Sequence, residues 1–279
     1  MVIATRNRSQ DLEKALGHAT ALPERPVIVV VDNASTDGTV GMVEHIHPGV
    51  DVLPLNANHW AAARTIGARH VDAPYVAFSD DDSWWAPGSL RRAADIFDAH
   101  PRLGLIAGRV VVGPEERLDP TCTAMRDTPL LQSPDLAGAA ILGFVACGAL
   151  VRRSAFLQVG GFEPRFEIGG EEELLALDLA SAEWGLQYVD EVVAHHHPSR
   201  SRDPSRRQRR EMRNALWSSW LRHPLPAALS RSVHVLTEAP RDATTARALA
   251  EALRGLPWVM RRRRKVPPPV EAMLSRLYA

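Results

Sequence analysis

The chain has 279 residues, 45% hydrophobic and 24% charged, which is ordinary for a globular protein with one large domain and room for an appendage. Its formal net charge is zero, but residues 195–279 hold 18 arginines and lysines against 6 acidic residues, so that third carries about +12 and residues 1–194 about −12. Two cysteines without CxxC spacing, Cys122 and Cys147, indicate neither a disulfide framework nor a cysteine metal site.

The same composition predicts a cytoplasmic protein. No N-terminal signal peptide is visible, since a short apolar stub is followed by Arg6 and Arg8. The longest uncharged run, residues 136–151, is shorter than a membrane-spanning helix needs. We therefore expect any membrane contact to be peripheral, at the inner face of the cell membrane.

Strand and helix patterns alternate four times in the first hundred residues. Strands are predicted near residues 2–4, 27–31, 51–55 and 75–79, and helices near residues 12–19, 42–46, 61–71 and 87–99. The unbroken β-branched run at 27–31 is typical of a strand buried on both faces of a parallel sheet. The pattern predicts an α/β fold with a mainly parallel sheet and helices on both faces.

The second half is less regular. Strands are predicted at residues 103–112, 143–151, 186–189 and 192–194, and helices at 154–159 and 171–184. A polar loop at 114–134 is long enough to suggest mobility or contact with an acceptor. An arginine-rich extension, residues 201–279, is predicted to be mainly helical, with helices near 205–222, 227–237 and 243–253 and a tail from Pro267.

Three polar clusters follow predicted strands directly, at residues 5–8, 32–37 and 80–82. Because ligands bind beyond the carboxyl ends of parallel strands, we expect these clusters to share one rim of the sheet. Asp32 and Asn33 present short polar groups that suit a base or ribose, although the same residues also suit a capped turn.

The most acidic cluster is Asp80, Asp81 and Asp82, between an apolar strand and two tryptophans. Three adjacent carboxylates repel one another and gain nothing from burial unless a cation neutralises them. Mg²⁺ or Mn²⁺ suits oxygen ligands, so a metal site is one interpretation, and a solvated turn that caps the next helix is the other.

Other residues suggest chemistry less directly. Arg64 could clamp a carboxylate or a phosphate, or lie on the surface. Three glutamates from Glu171 follow two glycines at a helix start, where the helix dipole favours them and where one could act as a general base. His195 begins a run of three histidines, of which at most two can face one metal ion because strand side chains alternate.

Taken together and in order, seven segments of residues 1–200 resemble the signature of family 2 glycosyltransferases. The segments are Val2-Ile3-Ala4-Thr5-Arg6-Asn7-Arg8, Val31-Asp32-Asn33-Ala34-Ser35-Thr36-Asp37-Gly38-Thr39, Ala61-Ala62-Ala63-Arg64, Asp80-Asp81-Asp82, Gly160-Gly161-Phe162, Gly170-Glu171-Glu172 and His195. The resemblance implies a Rossmann-like GT-A fold for residues 1–200. It also implies a nucleotide-diphosphate-sugar donor, a divalent metal, Mg²⁺ or Mn²⁺, and sugar transfer to an acceptor hydroxyl with inversion.

The resemblance also implies roles for the donor-binding residues. Thr5 and Arg8 would line the nucleotide, and Asp32 with Asn33 would recognise the base. Asn33 stands where many members have a second aspartate, so a UDP- or dTDP-linked sugar is expected without a choice between them. Similarity to the family places Arg64, Asp80 and Asp81 against the base, ribose or diphosphate.

For the chemistry, the resemblance implies that Asp82 and His195 hold the metal, with His196 as an alternative to His195. Glu172 stands where the family usually has the aspartate that acts as catalytic base, and Glu171 or Glu173 could take that role instead. The acceptor would be a glycan, a lipid-linked sugar or a small molecule. Trp60 occupies a position that is often glycine in the family.

Two alternatives remain open from the residues alone. A sugar nucleotidyltransferase would share the α/β core, but its glycine-rich loop is missing after the first strand. A non-catalytic protein could bind an anionic surface through the arginines at 206–213 and 261–265. No sequence-specific nucleic-acid motif is present, and Trp217, Trp220 and Trp258 beside arginines fit a membrane-surface helix better.

Overall fold

The computed structural model describes residues 1–132, 136, 138–199 and 204–278, the last range without the side chains of residues 204–206. This part of the chain has ten strands: β1 Val2–Thr5, β2 Val29–Asp32, β3 Asp51–Pro54, β4 Tyr75–Asp80, β5 Ser83–Trp85, β6 Leu103–Val112, β7 Arg117–Leu118, β8 Ala139–Ala140, β9 Ala149–Arg152 and β10 Gly185–His196. Its α-helices are α1 Ser9–Thr20, α2 Thr39–Ile46, α3 Ala63–His70, α4 Ser89–Ala99, α5 Pro120–Arg126, α6 Arg153–Gln158, α7 Glu171–Ser181, α8 Pro204–Arg222, α9 Leu225–Glu238, α10 Ala243–Arg262 and α11 Pro268–Leu277.

One mixed sheet runs through the molecule in the order β3-β2-β1-β4-β9-β6-β10-β5, with β7 on β6 and β8 on β10. Strands β3, β2, β1 and β4 are mutually parallel, as the alternating pattern predicts. Strand β9 enters antiparallel between β4 and β6, and β5 pairs antiparallel with β10. The α/β fold is confirmed, while the mainly parallel pairing holds for the first half of the sheet and not for the second.

Apolar cores cover both faces of this sheet. On β2, Val29 and Val31 belong to one core cluster and Val30 belongs to the other. The same alternation separates Val2 from Ile3 on β1. Successive strand side chains point to opposite faces, so an unbroken β-branched run is what two covered faces require.

Four local predictions are corrected by the structure. The loop predicted at 114–134 contains β7 and α5, and α5 begins where the Asp119 carboxylate accepts a hydrogen bond of 2.8 Å from the Thr121 amide. Residues 83–85, where no strand is predicted, form β5. The two strands predicted at 186–194 are one strand, β10, with a register shift between Val189 and Val193. The tail predicted from Pro267 is α11 instead.

Beyond residue 204 the chain packs onto the α/β body through helix α8. Phe166 and Leu174 share a core cluster with Trp217 and Leu221 of α8 and with Val259 of α10. The predicted boundary near residue 200 falls beside residues 200–203, outside the described part. Among the described residues, no helix is both long and apolar enough to span a membrane.

Candidate active site

A cavity of about 620 Å³ opens beyond the carboxyl ends of β1, β2 and β4. Side chains that the sequence singled out line much of it, namely Thr5, Arg8, Asn33, Arg64, Asp80, Asp81, Glu171 and Glu172. His196, the predicted alternative to His195, lines it too, as do residues without a predicted role, among them Asn58, Trp60, Cys147, Arg207 and Arg210. The carboxyl ends of parallel strands meet at one edge, so segments far apart in sequence converge there.

The three carboxylates after β4 have different partners. Asp80 forms an ion pair with Arg64. Asp81 accepts a hydrogen bond of 3.0 Å from the Thr5 hydroxyl and lies 3.5 Å from Arg8. Asp82 lies 3.3 Å from Arg8 and accepts a 3.0 Å hydrogen bond from the amide of Ser199. The acidic turn is therefore a set of individually held carboxylates rather than a solvated cap.

Burial is the main cause that raises the pKa of Asp81 to about 7. The neighbouring carboxylates of Asp80 and Asp82 raise this pKa as well, while the Arg8 guanidinium opposes the rise. Burial makes the ionised form of Asp81 unfavourable, and a cation bound beside it would be stabilised by the carboxylate charge.

Strand β5 explains which histidine reaches this turn. It pairs antiparallel with β10, which sets Ser83 opposite His196 and Trp84 opposite His195. The His196 Nε2 atom lies 3.4 Å from an Asp82 oxygen. The neighbouring His195 points to the other face, where its ring stacks on Trp84 at 5.6 Å between centroids.

The structure places His195 on the face away from the acidic turn, and its role at the metal stays a prediction. Its Nδ1 lies 3.4 Å from Glu116, and burial lowers its pKa. Strand alternation permits only every second histidine to face the carboxylates, and the pairing of β5 with β10 selects His196.

The donor atoms at this end of the cavity fit a hard divalent cation. One ligand atom each from Asp80, Cys147 and His196 lie within 4.8 Å of one another, and Asp82 adjoins His196. Carboxylate oxygens and imidazole suit Mg²⁺ or Mn²⁺. The thiol is the exception, because burial raises the pKa of Cys147 well above its usual value and a protonated thiol is a poor ligand.

Two glutamates at the start of α7 face the cavity from the opposite side. The helix begins after Gly169 and Gly170, both at positive φ (+88° and +86°), a conformation that glycine adopts without strain. A Cβ on Gly169 would meet Glu211 of α8 at 2.5 Å, so glycine also allows α8 to approach. The turn thereby holds Glu171 and Glu172 at the cavity wall.

The two carboxyl groups interact with each other in a buried setting. Burial raises the pKa of Glu171 well above its usual value, and the charge of Glu172 raises it further. Burial also raises the pKa of Glu172, while Arg64 and a hydrogen bond with Glu171 oppose that rise. The arrangement favours a protonated Glu171 that donates to an ionised Glu172.

Glu173, the third glutamate of the run, points elsewhere. Its carboxylate lies 2.9 Å from Arg231 of α9, and it does not line the cavity. Of the three possible bases in the sequence, the structure brings only Glu171 and Glu172 to the site.

The nucleotide-side residues are ordered by local hydrogen bonds. One oxygen of Asp32 accepts a 2.9 Å bond from the Ser35 amide, and its other oxygen, Oδ1, is buried without a hydrogen-bond partner among the described residues. The Asn33 side-chain oxygen accepts a 2.9 Å bond from the His59 amide. An unsatisfied buried acceptor beside the cavity is a place for a ligand donor.

Trp60 has the backbone conformation that explains its unusual position. Its φ is +53°, in the left-handed region where glycine is favoured. Its amide donates to Asn58 at 2.9 Å, and the Arg210 guanidinium stacks on its ring at 4.4 Å. These contacts hold a tryptophan where a glycine would be less strained.

Sequence reasoning missed the contribution of α8. Arg207 and Arg210 line the cavity, and Arg210 forms an ion pair with Glu167. The arginine-rich composition was visible in the sequence, but nothing in it shows which arginines of α8 reach the cavity. Only the packing of α8 beside the turn at Gly169 does so.

A family model described as "Glycosyl transferase family 2" matches residues 1–160. The chain is 32% identical over 245 residues to "N-acetylglucosaminyl-diphospho-decaprenol L-rhamnosyltransferase" of Mycobacterium tuberculosis, in strains CDC 1551 / Oshkosh and ATCC 25618 / H37Rv. That alignment covers 74% of this chain and 78% of each relative.

Solved structures with the same fold include S. aureus TarS, with a TM-score of 0.62 at 15% identity. That alignment covers 98% of this chain, which spans 50% of the TarS chain. The mannosyltransferase PcManGT from Pyrobaculum calidifontis, in complex with GDP-Man and Mn²⁺, has a TM-score of 0.60 at 19% identity over 99% of this chain and 84% of its own. At these identities the likeness concerns the fold alone.

Proposed function

The chain belongs to glycosyl transferase family 2, and from this premise we propose how its cavity performs the reaction. The family makes it an inverting glycosyltransferase that moves a sugar from a nucleotide-diphosphate donor to an acceptor hydroxyl with metal assistance. The observation that carries the proposal is the cavity itself, where the acidic turn and the buried pair Glu171 and Glu172 face the same space.

The donor is a UDP- or dTDP-linked sugar. Asp32 leaves a buried carboxylate oxygen without a partner among the described residues, and this acceptor suits the imide N–H of uracil or thymine. Thr5, Arg8 and Asn33 line the nucleoside side, and Arg64 with Asp80 and Asp81 faces the ribose and diphosphate.

A thermal-shift screen tests the donor. UDP and dTDP compounds with Mn²⁺ are expected to stabilise the protein and EDTA to abolish the effect. Asp32→Asn should weaken UDP and dTDP binding. The asparagine side chain has one acceptor oxygen, whereas the carboxylate has two, of which one already accepts from the Ser35 amide. Stabilisation by GDP compounds alone would contradict the base assignment, and no stabilisation by any nucleotide would contradict the donor site.

Asp80, Asp82 and His196 would hold the metal, which when bound supplies Lewis-acid stabilisation of the diphosphate charge. The remaining interactions around the metal site come from the chain's own residues. Arg8 lies against Asp81 and Asp82, and Arg64 forms an ion pair with Asp80, so the two arginines orient these carboxylates. The site thereby presents cations and ordered oxygens to the diphosphate end of the donor.

Glu172 is the base in this proposal. Its oxygen removes the proton from the acceptor hydroxyl as that oxygen attacks the sugar carbon opposite the leaving diphosphate. Glu171 stays protonated and orients Glu172 by donating to it. Burial raises the pKa of Glu172, which brings its basicity closer to what proton removal at neutral pH requires.

Glu172→Gln tests this assignment. The variant should bind the donor with unchanged affinity in calorimetry and lose transfer by at least about 100-fold, the usual contribution of a positioned base. Glu173→Gln is the matched control, because that residue pairs with Arg231 outside the cavity. Transfer that survives in Glu172→Gln would place the base elsewhere.

The acceptor is a glycan or a lipid-linked sugar, and we favour a sugar on a lipid diphosphate. The curated relatives are named for an N-acetylglucosaminyl-diphospho-decaprenol acceptor and for rhamnosyl transfer. In this chain Arg207 and Arg210 line the cavity beside the glutamate pair, and guanidinium groups bind phosphate well. Such an acceptor lies in a membrane, so the enzyme works peripherally at its cytoplasmic face.

A pair of acceptors tests this step. Transfer to a short polyprenyl-diphosphate sugar should be far more efficient than transfer to the same sugar without diphosphate. Arg207→Gln should raise KM for the diphosphate acceptor and leave KM for the free sugar unchanged. Equal use of both acceptors by the unaltered enzyme would contradict recognition of the acceptor diphosphate.

A further inference from the structure

Helices α9 and α10 each expose a row of large apolar side chains, while other positions of the same helices pack against the core. The exposed set is 38–68% accessible and consists of Leu225, Leu229, Val233 and Leu236 on α9 and Leu253, Leu256 and Met260 on α10. The buried sides carry Ala228 on α9 and Ala248, Ala252, Gly255 and Val259 on α10. A helix whose large apolar residues all pack on the core would not expose such a set.

The inward side of α10 shows why small residues are needed there. A Cβ on Gly255 would lie 2.3 Å from the Trp217 ring of α8, so α10 packs too closely for a larger residue. Leu253, Leu256 and Met260 lie on the exposed side of the helix instead. They are concentrated as well, since seven of the eleven exposed large hydrophobic side chains of the described residues are on these two helices.

The apolar residues are regularly spaced on each helix. On α9 they recur at intervals of four, four and three residues, and on α10 at three and four. At 3.6 residues per turn such intervals form a stripe along one side of a helix. Each helix therefore presents a continuous outward apolar row.

Basic residues run beside the α10 row. Arg247, Arg254 and Arg261 are exposed and recur every seven residues, about two turns, so they form a line next to Leu253 and Met260. Residues 225–265 together hold nine arginines and lysines against three acidic residues. The surface is thus apolar and cationic at once.

The exposed basic residues of this surface form no ion pairs within the part of the chain that the structure describes. Arg213, Arg222 and Arg231 form ion pairs with Glu167 or Glu251, Asp178 and Glu173. In contrast, the exposed Arg247, Arg254, Arg261, Arg262, Arg264 and Lys265 have no ion pair with any residue that the structure describes. Carboxylates thus neutralise the arginines that pack inward, while the exposed basic residues remain available to an anionic partner.

We infer that α9, α10 and the basic segment 261–265 form a surface, here called the basic apolar face, that docks on an anionic lipid bilayer. Aliphatic side chains enter the headgroup boundary and arginines bind lipid phosphates, the combination that holds interfacial helices. This inference adds a docking surface to the proposed function. It rests on that function in one respect, namely that an enzyme with a lipid-linked acceptor must reach a membrane.

Other occupants fit the charges less well. A second copy docked through the same face would bring two strongly cationic surfaces together. Nucleic acid would not need the exposed leucines and would use aromatic stacking, but Trp217 is buried and Trp258 packs on it at 5.4 Å. The tryptophans expected at a membrane surface lie in the helix core, and the aliphatic rows take that place.

Vesicle sedimentation tests the inference with the full chain. Binding is measured to phosphatidylcholine vesicles with and without phosphatidylglycerol, at low and at high salt, without donor or acceptor. We expect binding to anionic vesicles only, weakened by salt. Arg254→Gln with Arg261→Gln should reduce affinity by about fivefold for each arginine. Leu253→Ser with Met260→Ser should reduce it by at least roughly tenfold.

The matched control is Val27→Ser, since Val27 is 67% exposed and precedes β2 in the α/β body. It should leave vesicle affinity unchanged, and all altered residues are exposed, so melting temperatures should match the unaltered protein. Absence of binding at low salt, equal binding to neutral vesicles, or equal loss in the Val27 control would overturn the inference. So would a dimer in sedimentation equilibrium that Leu253→Ser abolishes.

Transfer to a water-soluble acceptor separates this result from the proposed function. The double variants should bind donor and transfer to that acceptor like the unaltered enzyme. Loss of vesicle binding with transfer retained supports the basic apolar face as a docking surface. Vesicle binding without any transfer would contradict the proposed function and still support the docking surface.

Discussion

Replacement of Glu171 by glutamine should stabilise the protein at high pH. The Glu171 side chain is 3% exposed, and its Oε2 atom has no hydrogen-bond partner among the described residues. Burial and the neighbouring Glu172 raise its pKa well above the ordinary value. Above that ordinary value, the folded protein holds a proton on Glu171 that the unfolded chain has already released.

The sign of the effect follows from linkage. Because the native state binds more protons, the free energy of unfolding falls as pH rises from the unfolded pKa towards the raised folded pKa. The slope is about 1.4 kcal/mol for each pH unit over which this one proton difference persists. Glutamine keeps the shape and can still donate to Glu172 but has no proton to lose, so Glu171→Gln removes this part of the slope.

Urea unfolding followed by tryptophan fluorescence at pH 5, 6, 7 and 8 measures the difference. The stability gap between Glu171→Gln and the unaltered protein should widen in favour of the variant as pH rises. Glu13→Gln is the control, because Glu13 is an exposed glutamate on α1 that is not desolvated by burial. A gap that is constant with pH, or a variant that is less stable at pH 8, would refute the reasoning.

Two further substitutions examine the metal end and the helix packing. His196→Ala should lose Mn²⁺-dependent thermal stabilisation while His195→Ala keeps it, and the reverse result would return the metal to the other face of β10. Gly255→Ala should lower the free energy of unfolding by about 1–3 kcal/mol through overpacking against Trp217. Gly17→Ala on α1, with nothing within 4 Å of its added Cβ, should raise stability by about 0.5–1 kcal/mol, and equal effects at both glycines would contradict the packing argument.

The α/β class was predictable because its signals are local. Apolar periodicity and β-branched runs mark where strands and helices lie, and the four alternations of residues 1–100 appear in the structure. The short elements were not predictable in the same way. Helix α5 has seven residues and β5 has three, too few for a periodic pattern to stand out from a loop.

Much of the cavity wall could also be anticipated. Parallel strands bring their carboxyl ends to one edge, so the polar residues after β1, β2 and β4 had to converge. Thr5, Asn33 and Asp81 do line the cavity. Their roles towards a donor stay proposals that the nucleotide screen addresses.

By itself, the sequence determined the layered α/β body, the family, and the acidic turn and glutamates as candidates, because each depends on contiguous residues or on their order. Only the tertiary structure decided among close neighbours. The pairing of β5 with β10 turns His196 rather than His195 to the carboxylates, and the packing of α8 brings Arg207 to the cavity. Gly255 against Trp217 fixes which side of α10 faces outward. These choices depend on contacts between distant segments, and a side chain's direction in space is set by those contacts rather than by its neighbours in the chain.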